Sequence, residues 1–184
     1  RISRGAGLMS GTIVSKIRFD NASYQTHGEL PRIGSFAPDV SLVNTKLHNV
    51  SLAHWVGKRK IMYIGLSVDT EACARTIIRF DEYAAGRDDI ALLVVTHDLP
   101  FAHSRFGKSH DLQASQGLSA IRHAGFGENY GVRITDGPLE GMFSPAVMVL
   151  DENNTVVHRE HVEDVTTEPD YAAAFRALGI EINE

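Results

Sequence analysis

One cysteine among 184 residues excludes an intramolecular disulfide framework, and with it the usual compositional case for an oxidising compartment. No apolar run reaches the length of a membrane span or of a secretory leader core, so the chain reads as one without a membrane partner and, by default, as cytoplasmic. Charge of one sign is also scarce. The 23 acidic and 18 basic residues leave a formal net charge of −5, too modest for a nucleic-acid footprint. The nine histidines form no H-x-x-x-H or H-E-x-x-H pair, and the cysteine has no second cysteine for a zinc site, so neither a metal nor another cofactor is expected. Gly125-Phe126-Gly127 lacks the lysine or serine arrangement of a phosphate loop and reads as turns.

What is present suits one globular domain over residues 9–184, with 43% hydrophobic residues to build a core. Arg1 to Leu8 read as unstructured, or as an appended remnant upstream of a natural start at Met9. Ile13 to Phe19, continuing through Tyr24, reads as a hairpin, and Val40 to Val43 as a short strand. Val50 to Trp55 reads as a helical turn and Ile61 to Leu66 as a strongly apolar strand. Cys73 to Ala85 carries apolar Ile77, Phe80 and Ala84 among charged residues, the pattern of an amphipathic helix closed by Gly86.

The run Ile90 to Val95 has the continuous apolar character of a strand buried on both faces. Pro100 opens a helix carried by Ala102 to Phe106, Gly107 to Gly117 reads as polar and irregular, and Ala124 to Tyr130 as a short helix. Ala146 to Leu150 and Thr155 to His158 form a second hairpin. Thr167 is the expected N-cap of a last helix over Tyr171 to Leu178, with Asp170 as its acidic partner. Trp55 and Phe101 are expected as core or interface anchors. The order is β-α-β-α followed by β-β-α, which predicts an α/β thioredoxin-like fold: a central mixed sheet flanked by helices, with an N-terminal β extension.

Cys73 follows the apolar strand directly, in Ser67-Val68-Asp69-Thr70-Glu71-Ala72-Cys73. A cysteine in the first turn of a helix meets free backbone N–H groups and the positive end of the macrodipole, both of which favour a thiolate. Against an inert buried thiol, this corner favours a reactive one.

Six segments then carry a family resemblance. They are Ser67-Val68-Asp69-Thr70-x-x-Cys73, Asp98-Leu99-Pro100-Phe101-Ala102-x-Ser104-Arg105-Phe106, Tyr130-Gly131-Val132, Asp136-Gly137-Pro138-Leu139, Asp151-Glu152-Asn153 and Thr166-Thr167-Glu168-Pro169-Asp170-Tyr171. In order and spacing, from about Ile17 to Leu178, the chain resembles the bacterial thiol peroxidase branch of the peroxiredoxins. The resemblance implies a homodimeric enzyme that reduces hydrogen peroxide and organic hydroperoxides, with Cys73 as peroxidatic cysteine and electrons from thioredoxin. It also implies that the Thr70 hydroxyl orients peroxide and contacts the sulfur; simple capping of the helix is the plainer role for Thr70.

The chain departs from the family pattern at three positions. Leu66 stands where the family has proline, which predicts a looser cysteine corner. Pro145 stands where the family has an arginine beside the thiol, and Gly107 where it has the resolving cysteine. Among nearby cations, Arg75, His97, His103 and Arg122 are candidates to replace the arginine, Arg122 foremost. Two readings follow. One is a one-cysteine peroxidase whose oxidised Cys73 is resolved by an external thiol such as thioredoxin or glutathione. The other is a catalytically weakened relative that serves as a redox sensor or interaction module.

Overall fold

A computed structural model of the protein describes residues 15–184, so the first eight residues and the expected start of the domain at Met9 lie outside the described residues. The first elements are a hairpin of β1 (Lys16–Phe19) and β2 (Ala22–Gln25). Its two-residue turn, Asp20-Asn21, takes positive φ at both positions, as the tight turn between twisted strands demands, and Asp and Asn tolerate that region.

The remaining strands form one seven-stranded sheet. In chain order they are β3 (Leu42–Asn44), β4 (Asn49–Val50), β5 (Arg59–Ile64), β6 (Ile90–Thr96), β7 (Ser115–Ser119), β8 (Ala146–Leu150) and β9 (Val156–His161). Across the sheet the order is β4-β3-β7-β6-β5-β8-β9. The centre is parallel, β5 to β6 to β7, and both flanks are antiparallel. The parallel connections are made by α1 (Glu71–Ala84), between β5 and β6, and α2 (Pro100–Ser109), between β6 and β7. A 3-10 turn (Leu52–Trp55), α3 (Phe126–Asn129) and α4 (Tyr171–Arg176) complete the helices. This is the expected thioredoxin-like α/β architecture with its β extension. Among the described residues, no helix is long and apolar enough to cross a membrane.

Alternation along the strands divides the core in two. Ile61, Tyr63, Leu92, Val94, Val147 and Val149 face α1 and α4, while Met62, Ile64, Leu93, Val95, Met148 and Leu150 face Trp55, Phe126 and Tyr130. Trp55 is thus a core anchor, and its indole N–H donates to Gln116 Oε1 at 3.0 Å. Phe101 is not: it is 67% exposed.

Several sequence expectations need correction. The strand expected at Val40 to Val43 lies two residues later at its start, the one at Ile61 to Leu66 starts and ends two residues earlier, and the one at Thr155 to His158 runs on to His161. The helix opened by Pro100 passes through Gly107 to Ser109, so the stretch expected to be irregular contains the end of α2 and the start of β7. β7 reads Ser-Gln-Gly-Leu-Ser, without strand periodicity, and tertiary contacts make it. Buried Asp81 on α1 accepts the backbone N–H groups of Gln113 (2.9 Å), Ala114 (2.8 Å) and Ser115 (2.6 Å), feeding the chain into its slot between β3 and β6. Only glycine fits at 117, because a β-carbon there would lie 2.7 Å from His103. The last helix is capped by Asp170, whose carboxylate accepts the Ala173 N–H at 2.8 Å, and not by Thr167.

Candidate active site

Beyond Ile64 the chain keeps one more ladder bond, Gly65 N–H to the Val95 carbonyl at 3.0 Å, and then turns through residues 66–70 into α1. Thr70 is the N-cap residue, with extended φ and ψ, which makes Cys73 the third residue of the helix. The first backbone bond runs from Ala74 N–H to the Thr70 carbonyl at 2.9 Å, so the N–H groups of the preceding turn, Cys73 included, lack intrahelical acceptors. The side chain of Thr70 does not cap. Its hydroxyl donates to the Ser67 carbonyl at 3.1 Å, which corrects the plainer reading and leaves the oxygen lone pairs available.

The structure brings Cys73 and Thr70 together at one corner, but the thiol is covered. Cys73 has no exposed surface and sits in the apolar cluster with Tyr63, Leu66, Val68 and Ile77. A solute reaches the sulfur only when this cover shifts.

The corner lacks proline at 66, yet it is tied from the outside. Asp98, after β6, accepts the Ser67 hydroxyl and the Val68 N–H, each at 2.8 Å, and the Thr96 hydroxyl at 2.6 Å. From α2, Arg105 reaches Asp69 at 2.7 Å. Leu66 itself packs into the core. These ties supply restraint that the expectation of a looser corner left out.

None of the candidate cations replaces the missing arginine. Arg122 bonds Asn49 at 2.9 Å, on β4 at the far edge of the sheet from β5. Arg75 is engaged by Glu71 at 2.6 Å and Glu168 at 3.4 Å. His97 stacks on Phe143 at 4.0 Å, in the core layer opposite Cys73. His103 is buried behind Thr96 at 3.0 Å, and burial pushes it down to about 4, so it is uncharged at neutral pH. Its tautomer follows from its partner: the Thr96 hydroxyl gives its hydrogen to Asp98 and so accepts from His103 Nε2–H.

The register sets Ile64 opposite Ala146, which places Pro145 across from Gly65 at the end of the β5 and β8 pair. Gly107 has open space where a side chain would stand. It lines a cavity of about 550 Å³ between α2 and β7, with Ser104, Lys108, Leu112 and Gln116. Cys73 does not line that cavity.

Two residues of the site were missed in the sequence. A β-carbon placed on Gly65 would lie 3.1 Å from Cys73 Sγ, 3.2 Å from Tyr63 Cε1 and 3.3 Å from the Tyr63 hydroxyl oxygen. The absent side chain therefore leaves the Tyr63 phenol and the Cys73 thiol facing the same point at the end of β5. Burial and the neighbouring cysteine hold Tyr63 well above the ordinary tyrosine range. The available signal was spacing, since a tyrosine two residues before a glycine shares its strand face.

Comparison with known proteins gives a consistent picture. The redoxin family model matches residues 32–175. The chain is 37% identical to a thiol peroxidase of Corynebacterium glutamicum over 165 residues, covering 90% of this chain and 99% of that protein. Its structure is similar to that of a peroxiredoxin-like protein from Aquifex aeolicus, with a TM-score of 0.81 at 27% identity over 90% of this chain and 98% of that one. It is also similar to a thiol peroxidase from Chromobacterium violaceum, with a TM-score of 0.80 at 28% identity over 89% and 95% of the two chains.

Proposed function

The chain belongs to the redoxin family, in its thiol peroxidase branch, and from that premise we propose that it reduces hydrogen peroxide and organic hydroperoxides through Cys73, in a cycle completed by an external thiol. The observation that carries this reading is the position of Cys73 at the third residue of α1, one turn from Thr70, after a strand end.

The Cys73 thiolate attacks the terminal oxygen of the hydroperoxide. A sulfur–oxygen bond forms, the O–O bond breaks, sulfur loses two electrons, and the departing alkoxide or hydroxide takes a proton from water. Backbone N–H groups of the first helical turn face the charge on the sulfur and oxygens. Thr70 is proposed to accept the hydrogen of the peroxide O–H, since its own hydrogen is committed to Ser67. The product is a sulfenic acid on the chain's one cysteine, with no second thiol to condense with. One external thiol then forms a mixed disulfide and releases water, and a second frees Cys73 and leaves as a disulfide. Thioredoxin and glutathione are the proposed donors, and a lone reduced thiol suits the cytoplasm. Exposed Leu99 and Phe101, beside the α2 end of the cysteine corner, suit a homodimer face. A light-scattering mass of one chain would remove that part.

The decisive measurement is stopped-flow oxidation by hydrogen peroxide and cumene hydroperoxide. Oxidation far faster than that of a free thiol is expected, and a rate no faster ends the proposal. A turnover screen with thioredoxin, glutathione and glutaredoxin then identifies the donor. The covered sulfur and Pro145 favour a second reading, a redox sensor, which takes over when oxidation is fast and no thiol sustains turnover.

A further inference from the structure

We propose that Tyr63 is a catalytic residue, the side-chain hydrogen-bond donor that holds the Cys73 thiolate across the gap left by Gly65. The inference rests on the peroxidatic role of Cys73 given above.

The geometry is unusual in needing two residues. Tyr63 and Gly65 lie on one face of the end of β5, and the Tyr63 hydroxyl and Cys73 Sγ both come within 3.3 Å of the place a Gly65 β-carbon would take. Both residues are buried, so bulk solvent does not reach the sulfur in the closed corner. Across the strand pair, Pro145 offers no donor.

The phenol has a single hydrogen and two neighbours, Cys73 and Thr76. Thr76 gives its own hydrogen to the Ala72 carbonyl at 2.7 Å, so toward Tyr63 it can only accept. While Cys73 is a neutral thiol, the two acceptors compete. Once Cys73 ionises, the anionic sulfur is the stronger acceptor and takes the phenolic hydrogen in a charge-assisted bond. Tyr63 keeps its proton throughout, because burial disfavours the phenolate. The other titratable groups around the corner are already engaged. Tyr171 of α4 donates to Glu168 at 2.6 Å, Glu71 and Arg75 pair on α1, and Asp69 pairs with Arg105 while Asp98 holds the loop.

The test compares the parent with Tyr63→Phe, which removes one oxygen, in two measurements over pH: thiolate ultraviolet absorbance and stopped-flow oxidation by hydrogen peroxide. In the variant, thiolate formation is expected to move to higher pH. Oxidation near neutral pH should slow by about 3- to 10-fold, because loss of thiolate is partly offset by the greater nucleophilicity of a more basic sulfur. At the alkaline plateau the variant equals or exceeds the parent.

Gly65→Ala keeps the phenol but presses a methyl group on both partners, and the same displacement is expected; it decides the matter if Tyr63→Phe fails to fold. Superimposable thiolate curves, or an equal rate loss at every pH, overturn the assignment. A parent rate no faster than a free thiol overturns the peroxidase reading instead, while the absorbance curves still decide whether Tyr63 holds the thiolate.

Discussion

Asp98 accepts the backbone N–H of Val68 at 2.8 Å, so the loop before the cysteine is held by a carboxylate that follows the neighbouring strand. The same carboxylate takes the hydroxyls of Ser67 and Thr96. Bonds to a charged acceptor in a part-buried setting each contribute about 1.5–3 kcal/mol. Asp98→Ala is therefore expected to destabilise the fold by about 2–4 kcal/mol, since solvent replaces some of the lost bonds. Urea unfolding checks it. A change below a few tenths of a kcal/mol would show that the loop holds without Asp98.

The Tyr130-Gly131-Val132 segment makes a sharper prediction. Gly131 has φ +66° and its missing β-carbon would lie 2.0 Å from the Glu29 carbonyl oxygen, backbone against backbone. Neither group can rotate away. Gly131→Ala should cost about 3 kcal/mol or more, or abolish soluble expression. A thermal midpoint within a few degrees of the parent would contradict the close approach.

Acid sensitivity follows from His103. Buried neutral, with its ionisation pushed down to about 4, it binds a proton less readily in the folded chain than in the unfolded one, where the ordinary value is about 6.5. Its contribution is intact above about pH 6.5, is lost as pH falls from there toward 4, and changes no further below, a total of about 3 kcal/mol. Denaturation at a series of pH values should show this slope in the parent and a smaller one in His103→Gln. An identical slope in both would place the effect elsewhere.

The cap of α4 separates two neighbouring residues. Asp170→Ala removes the side chain that accepts the Ala173 N–H and is expected to cost about 1 kcal/mol. Thr167→Ala removes a hydroxyl that donates only to the Asp164 carbonyl in an exposed turn, and should cost less. Chemical denaturation of the two variants side by side checks the order.

The apolar runs at Ile61, Ile90 and Ala146 made the central strands legible, because a strand buried on both faces has little choice but to be hydrophobic. Cys73 and Thr70 were legible for a related reason: helix entry after such a strand has a strong local signature. β7 was not, since its pairing is imposed by Asp81 from another element and by the His103 ring packed on Gly117. Tyr63 escaped as well. Its spacing puts it on the strand face of Gly65, but that Cys73 of α1 packs against the same gap is set by tertiary structure. The helix cap was misplaced by three residues because Thr167 and Asp170 both suit the position, and only the orientation of the backbone chooses between them.

The complete cover over Cys73 has a practical consequence. The chain has no other cysteine, so a thiol-directed label bound to the native protein can be attached at one place only, and only while that place is open. At low label concentration the labelling rate follows the equilibrium fraction of open corners, and at high concentration it approaches the opening rate itself. The protein thus carries a built-in clock for the motion that uncovers Cys73, readable by mass spectrometry without any engineered probe.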